Sequence, residues 1–263
     1  IRKQLGLDQP MLQQFWVWSS GVVRGDLGTS IFSGKPVSEL IANRVGPTVS
    51  LAVLTMTFAI ILAIPMGVVA GWKAGSLLDR IVMIFAVLAF SFPVFLIGYI
   101  MVYIFSLKLA VLPVQGFREL RDGLWPFLRH LLLPSVSLGS VYIALIARMT
   151  RASMIAVLQE DYIRTARAKG LSYFRVLLIH ALKNAAVPVA TVIGVGFAGL
   201  IGGVVVTETV FNIPGLGRLT ATAIVNKDYP IIQGVVLLFS FTYVLINLLI
   251  DILYTLLDPR IKY

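Results

Sequence analysis

Residues 45–72 read VGPTVSLAVLTMTFAIILAIPMGVVAGW, 28 residues with no Asp, Glu, Lys or Arg. At ~1.5 Å per residue a helix of that length exceeds the ~30 Å hydrocarbon thickness of a bilayer. Four more uncharged runs follow: Ile81–Leu107 (27 residues), His130–Ala147 (18), Asn184–Thr207 (24) and Tyr229–Ile250 (22). Each approaches or exceeds the ~18–20 residues that a helix needs to cross. Together they occupy 119 of the 263 residues. The chain is 58% hydrophobic and 13% charged, about half the charge typical of a soluble domain. A soluble globular enzyme is excluded. The absence of Cys excludes a secreted disulfide scaffold as well. The fold class is all-α, a polytopic membrane protein with five transmembrane helices.

Net charge is +10, from 22 Lys and Arg against 12 Asp and Glu. In a chain with five apolar spans the excess reads as orientation rather than as a nucleic-acid surface, because basic loops concentrate on the cytoplasmic side. The loops 1–44, 108–129 and 208–228 carry 11 basic residues, and so do 73–80, 148–183 and 251–263. The second set is shorter, 57 residues against 87, and segment 148–183 alone holds seven. Positive density therefore places the second set in the cytoplasm. The chain opens at Ile1 with the polar stretch IRKQLGLDQPMLQQFW, unlike a signal peptide. With an odd number of spans, this start leads us to expect a sixth, N-terminal helix ahead of it.

Residues 1–47 read as an ordered extracytoplasmic region, with Phe15, Trp16, Trp18 and Phe32 and a turn-rich Arg24–Ser30 run. Pro36–Arg44 is expected to form a short amphipathic helix on the membrane face. Residues 48–263 form the transmembrane domain. Each of the first four spans holds a proline within it, Pro65, Pro93, Pro134 and Pro188. Each removes a backbone donor and kinks or breaks its helix, as a packing accommodation or as a hinge. Gly194, Ala198 and Gly202, with Gly199 and Gly203 beside them, form a small-residue ridge in the fourth span. Such a ridge permits close helix approach within the chain or against a partner subunit. Gly194–Gly199 also fits GxGxxG, but it lies inside an apolar span with no strand before it, which argues against a dinucleotide site.

The spans carry no ionisable group except tyrosines and His130 at the start of its run. Ion-driven carriers keep a carboxylate or histidine chain at membrane depth despite its cost. Glu208 and Asp251 are expected at span ends, within reach of water or headgroups. Intrinsic ion coupling is disfavoured, and only sodium sites made of backbone carbonyls stay open. His130 and His180 fall on opposite sides, so no metal site is assigned. No nucleophile–base pair, phosphate loop or carboxylate pair is present. Energy for any transport must come from another subunit.

Segment 148–183 is long and patterned. A helical period puts Ile155, Leu158, Tyr162 and Ala166 on one face and Glu160, Arg164 and Arg167 on the other, with Glu160 and Arg164 one turn apart. This predicts one helix over Ile155–Lys169, stopped at Gly170. Ser172 can cap a second helix leading into the fourth span. The pattern fits either a helix lying on the membrane surface or a docking element for a cytoplasmic partner.

The string Asp161-Tyr162-Ile163-Arg164-Thr165-Ala166-Arg167-Ala168-Lys169-Gly170-Leu171, then His180–Ala185 and Pro188, resembles the EAA loop of ABC importer permeases. The variant is similar to the dipeptide, oligopeptide, nickel and glutathione permease family, and within it to the first, B-type subunit. Leu5–Pro10, Arg24–Gly28, Glu208–Phe211, Pro214–Arg218, Lys227–Pro230 and Asp258–Arg260 agree. The likeness spans nearly the whole chain. Two departures from the general motif are visible: Arg164-Thr165-Ala166 stands where Glu-Ala-Ala begins it, and its later proline comes at Pro188 rather than near residue 182.

The resemblance implies a type I ABC importer transmembrane fold in the bacterial cytoplasmic (inner) membrane. It implies a heterodimer with a homologous second permease, two ABC ATPase subunits that bind ATP and Mg, and an extracytoplasmic solute-binding protein. No cofactor, metal or catalytic residue is expected in this chain. Glu160, Asp161, Tyr162, Arg164, Thr165, Ala166, Arg167, Ala168, Lys169, Gly170 and Leu171 would form the ATPase-coupling loop. Arg164 and Arg167 would enter the ATPase groove while Tyr162 and Ala166 pack back on the permease. Pro214, Gly215, Leu216, Gly217, Arg218, Asp228 and Tyr229 would face the binding protein. Di- or oligopeptides are the expected substrates, with glutathione or nickel as alternatives. A channel, a structural scaffold and an ion-coupled carrier are the rival classes.

Overall fold

The computed structural model describes residues 9–257, and no β-strand occurs among them. The Leu5–Asp8 part of the first motif and Asp258–Arg260 lie outside the described residues. Helix α1 (Met11–Val23) carries no charged residue and buries none of its side chains. It lies beside the first turns of the last helix, and the two line a cavity of about 820 Å³ between Phe15, Trp18, Tyr229 and Gln233.

Helix α2 runs unbroken over Val37–Trp72, with Pro36 in the N-cap position. The separate surface helix expected at Pro36–Arg44 is therefore the first part of α2, and the 47/48 boundary falls inside it. The reason is a continuous buried stripe. Val37, Ile41, Thr48, Leu51 and Ala52 are all buried, so one face stays in contact from the first turn.

Serine 76 caps α3 (Leu77–Ser91), its hydroxyl accepting from Asp79 N at 3.4 Å. Before Pro93, Phe92 is extended (ψ 134°), as the residue preceding a proline prefers. The second span accordingly breaks there into α3 and α4 (Val94–Met101), bent by 101°, and α4 widens into a π-turn at Val102–Lys108. Pro65, Pro134 and Pro188, and Pro47 near the start of the first span, stay within continuous helices. Only Pro93 breaks its span.

Helix α5 (Leu124–Leu158) is the central helix, 67% of its span being buried. It continues past residue 148, so the first eleven residues of the expected loop are helix. Gly67 and Gly71 let α2 meet α5 at backbone distance. A Cβ at Gly67 would stand 2.7 Å from the Ala147 carbonyl oxygen, and one at Gly71 2.7 Å from Met154 Cβ. This small-xxx-small pair is a close helix seam that the sequence analysis did not single out.

Helices α6 (Asp161–Ala168) and α7 (Tyr173–Arg175) follow, then a π-turn at Val176–Ala181 and α8 (Leu182–Gly203). Three members of the small-residue ridge of α8 pack within the chain: Gly194 lies against Ile250 of the last helix, Gly199 lies near the Tyr142 hydroxyl of α5, and Ala198 is buried. Two short helices, α9 (Val205–Val210) and α10 (Leu216–Val225), lead into α11 (Tyr229–Leu257). Among the described residues four helices are long and apolar enough to span a membrane, and the bent α3–α4 pair makes five. Large apolar side chains of α11, among them Phe241 and Val244, are exposed, as suits contact with lipid or another membrane chain.

Candidate functional site

At the basic end of the bundle, which holds the α2–α3 turn and α6, the chain leaves α5 through Gln159 and Glu160. Glu160 is extended (ψ 146°) and precedes the first turn of α6. The single helix expected over Ile155–Lys169 is thus two helices, and the break resets the helical phase. Ile163 and Ala166 are the buried pair; Ile163 joins Val68, Met154, Val176 and Leu177 in one apolar cluster. Tyr162, expected to pack inward, is 41% exposed. Its hydroxyl reaches the His180 carbonyl at 3.4 Å, and burial, with the charge of Glu160, raises its pKa.

The end of α6 follows the expected chemistry. Gly170 has φ +78°, its N–H donates to Arg167 O at 2.9 Å and Leu171 N donates to Ala166 O at 3.4 Å. These two bonds are a Schellman closure, in which a glycine accepts the left-handed conformation at no steric cost. Ser172 stands in the N-cap position of α7 with an extended backbone, but its side chain makes no capping bond. Its carbonyl instead accepts from Val176 N at 3.0 Å.

Asp161, Arg164, Thr165, Arg167, Ala168 and Lys169 are exposed. Arg164 pairs with Asp161 at 3.3 Å, one turn back, rather than with Glu160, because Glu160 stands before the helix. Arg167 does not simply project outward. Its guanidinium lies 5.2 Å from the Tyr173 ring, Tyr173 lies 5.9 Å from Trp72, and Lys73 stands 5.2 Å from the Trp72 ring. This ladder ties α6 to the end of α2 by cation–π and ring contacts. Beside it, buried Asp79 takes a bidentate pair from Arg151 of α5, with Nη2 at 2.8 Å, and accepts from Gly75 N.

The opposite, capped end corrects a sequence expectation. Glu208 is not reached by water: its side chain is fully buried. The carboxylate accepts from Thr48 Oγ1 of α2 at 2.6 Å and from Arg218 N at 2.9 Å. Thr48 Oγ1 in turn accepts from Leu216 N at 2.8 Å. Together they satisfy free N–H groups in the first turn of α10. Burial raises the Glu208 pKa, while the Thr48 and Arg218 bonds oppose that. A Cβ at Gly215 would fall onto this carboxylate, and one at Gly217 would stand 2.8 Å from Val205 Cα.

The far end of α10 is latched by Asp228, also buried. Its carboxylate accepts from Ser30 Oγ, Ile31 N and Phe32 N, the last two at 3.2 and 3.3 Å. Gly215, Leu216, Gly217 and Asp228 therefore point inward, and Pro214 and Arg218 are half-buried. Of the seven residues expected to face a partner, only Tyr229 is exposed. Gly215 and Gly217 supply close approaches and Leu216, Arg218 and Asp228 supply hydrogen bonds inside the platform. Sequence reasoning missed Thr48, Ser30 and the Asp79–Arg151 pair. A hydroxyl within an apolar helix carries no local mark of its partner. Its three buried carboxylates are all engaged, Asp79 by Arg151 and the Gly75 amide, Glu208 by Thr48 and the Arg218 amide, and Asp228 by Ser30 and the Ile31 and Phe32 amides.

Residues 63–263 match the family described as binding-protein-dependent transport system inner membrane component. The chain is 54% identical, over all 263 residues and 84% of the relative, to the probable peptide ABC transporter permease protein y4tP of Sinorhizobium fredii. It is 45% identical, over its whole length and 83% of the relative, to the glutathione transport system permease protein GsiC of Escherichia coli K12. Among solved structures, the inward-facing MetNI methionine ABC transporter superposes with a TM-score of 0.67 at 17% identity, covering 83% of this chain and 96% of that one. An amino acid ABC transporter gives 0.61 at 10% identity, covering 82% and 93%. The chain belongs to the binding-protein-dependent ABC importer permeases. It is a multi-pass membrane subunit with the transmembrane fold of that class.

Proposed function

We propose that this permease imports di- or oligopeptides across the bacterial inner membrane as one half of a heterodimer with a homologous permease. The basic end then faces the cytoplasm and the capped end the outside, where a solute-binding protein delivers substrate. Two ATPase subunits bind ATP and Mg and hydrolyse the nucleotide; this chain does no chemistry. The carrying observation is α6. It is an eight-residue helix whose Ile163 and Ala166 are buried in the bundle and whose Asp161, Arg164, Thr165 and Lys169 are exposed. That division suits a helix held by one partner and read by another. ATP binding draws the ATPases together, α6 moves with them, and the paired permeases change which side they open.

Peptide is favoured as substrate by the 54% identical relative named for peptides, and glutathione, itself a tripeptide, by the 45% identical one. The test is uptake into proteoliposomes holding the assembled transporter, with calorimetry of its binding protein against dipeptides, longer peptides and glutathione. Uptake is expected to require ATP and to survive collapse of the proton gradient at constant ATP. Uptake that an uncoupler stops under those conditions would overturn the reading.

A further inference from the structure

Among the described residues four apolar clusters hold the bundle together, the smallest being Ala86, Ala89 and Ala144. One surrounds α6 (Val68, Met154, Ile163, Ala166), one fills the centre, and one lies under α10 (Val37, Ile41, Leu216, Ala223, Ile231, Val235). Among the described residues, α2 is the helix with buried members in both end clusters: Val68 in the first, Val37 and Ile41 in the last. Helices α5 and α8 reach α6 but contribute no buried residue to the cluster under α10, and α11 does the reverse. At 36 residues, α2 is about 54 Å long. It is rigidly backed by α5 at Gly67 and Gly71.

We propose that α2 is the strut joining α6 to the cap, with the Thr48–Glu208 hydrogen bond as its outer joint; this rests on the permease reading above. At the inner end, Val68 packs in the α6 cluster and Trp72 meets at a tilt the Tyr173 ring that Arg167 of α6 covers. At the outer end, Thr48 is a two-way link: it donates to Glu208 and accepts from Leu216 N. Glu208 holds the next turn of α10 through Arg218 N. A shift or rotation of α2 therefore carries the start of α10 with it, because a buried, charge-assisted bond does not slip as an apolar contact can. Phe211, one turn after Glu208, lies over Gly98 of α4 and accepts from Gly116 N at 2.9 Å. The cap's motion thus reaches the bent second span. Thr48 and Glu208 are positioning residues: they touch neither nucleotide nor the site of hydrolysis.

The experiment uses the complete transporter, this chain with its partner permease, ATPases and binding protein, in proteoliposomes. Thr48→Val keeps the side-chain shape and removes both bonds. The expected result is an assembled complex with basal ATP hydrolysis near wild type, but with uptake per ATP hydrolysed reduced about tenfold, the factor one charge-assisted hydrogen bond supplies. Thr48→Ser, which retains the hydroxyl, is expected to restore the ratio. Glu208→Gln, which cannot accept from both Thr48 and the backbone as the carboxylate does, is expected to resemble Thr48→Val. A purely structural role would lower yield or melting temperature and leave the ratio unchanged; that result overturns the joint alone. A wild-type complex without ATP-dependent uptake overturns the permease reading and the joint with it.

Discussion

The two ends of the bundle use charged residues in opposite ways. At the basic end, α6 presents Asp161, Arg164, Arg167 and Lys169 to solvent, and its ion pair is exposed on both sides. At the capped end, Glu208 and Asp228 are buried and fully engaged with amides and hydroxyls. The helix endings differ too. Schellman closures end α6, α9 and α10, but the left-handed residue is Gly170 in the first and Asn212 and Lys227 in the others. A lysine held at φ +55° needs surroundings that over-determine it, and the neighbouring Asp228 latch supplies them. The contrast teaches that one end leaves its charges free in solvent while the other spends them on holding its own shape.

Substitutions can break that contrast, and the largest effect belongs to the cap. Glu208→Ala strands the Thr48 hydroxyl and the Arg218 amide in a buried site, and is expected to cost about 3 kcal/mol or more. The variant should fail to accumulate as folded protein, measured by the monodisperse yield from membranes. A wild-type yield would show that water enters the cap. Asp228→Ala comes next, at about 2 kcal/mol, because the Ser30–Phe32 turn is only half-buried. A lowered denaturation midpoint in detergent, with easier proteolysis near residue 30, is the expected readout.

Gly170→Val is smaller again. No atom lies within 4 Å of the Cβ position, so the whole effect is backbone strain of about 1–2 kcal/mol. Membrane insertion should survive while the ATPase subunits are lost on co-purification or substrate stimulation of hydrolysis disappears. Gly170→Asn, which tolerates the left-handed region, should retain both. A Gly170→Val transporter that assembles and works at wild-type rate would remove Gly170 from the coupling element. Arg164→Ala is expected to change stability by less than about 0.5 kcal/mol, since its pair with Asp161 is solvent-exposed. Its effect should appear only in uptake. Unchanged uptake would mean that this side of α6 meets no partner.

Much of this was legible along the chain. Uncharged runs locate spans because every backbone polar group in a bilayer must be satisfied locally, and only a helix does so within one segment. The stop at Gly170 was equally legible, since it depends on the φ/ψ limits of one residue; which of the span prolines breaks its helix was not, because Pro65, Pro134 and Pro188 stay inside continuous helices and only Pro93 does not. The phase of α6 was not. A two-residue link at Gln159–Glu160 rotates every later side chain, so Ile163 rather than Tyr162 turns inward.

By itself, then, the sequence determined what depends on neighbours within a turn or two: five apolar spans, the helix ends, and an exposed basic helix between the third and fourth spans. Tertiary structure alone decided the fate of each charge. Glu208 stands beside an apolar span as Asp251 does, yet Asp251 is exposed and Glu208 is buried. The difference is Thr48, 160 residues away along the chain, together with the α10 amides that only folding brings to the carboxylate. A carboxylate's surroundings are a three-dimensional property, because desolvation and hydrogen bonding act through space.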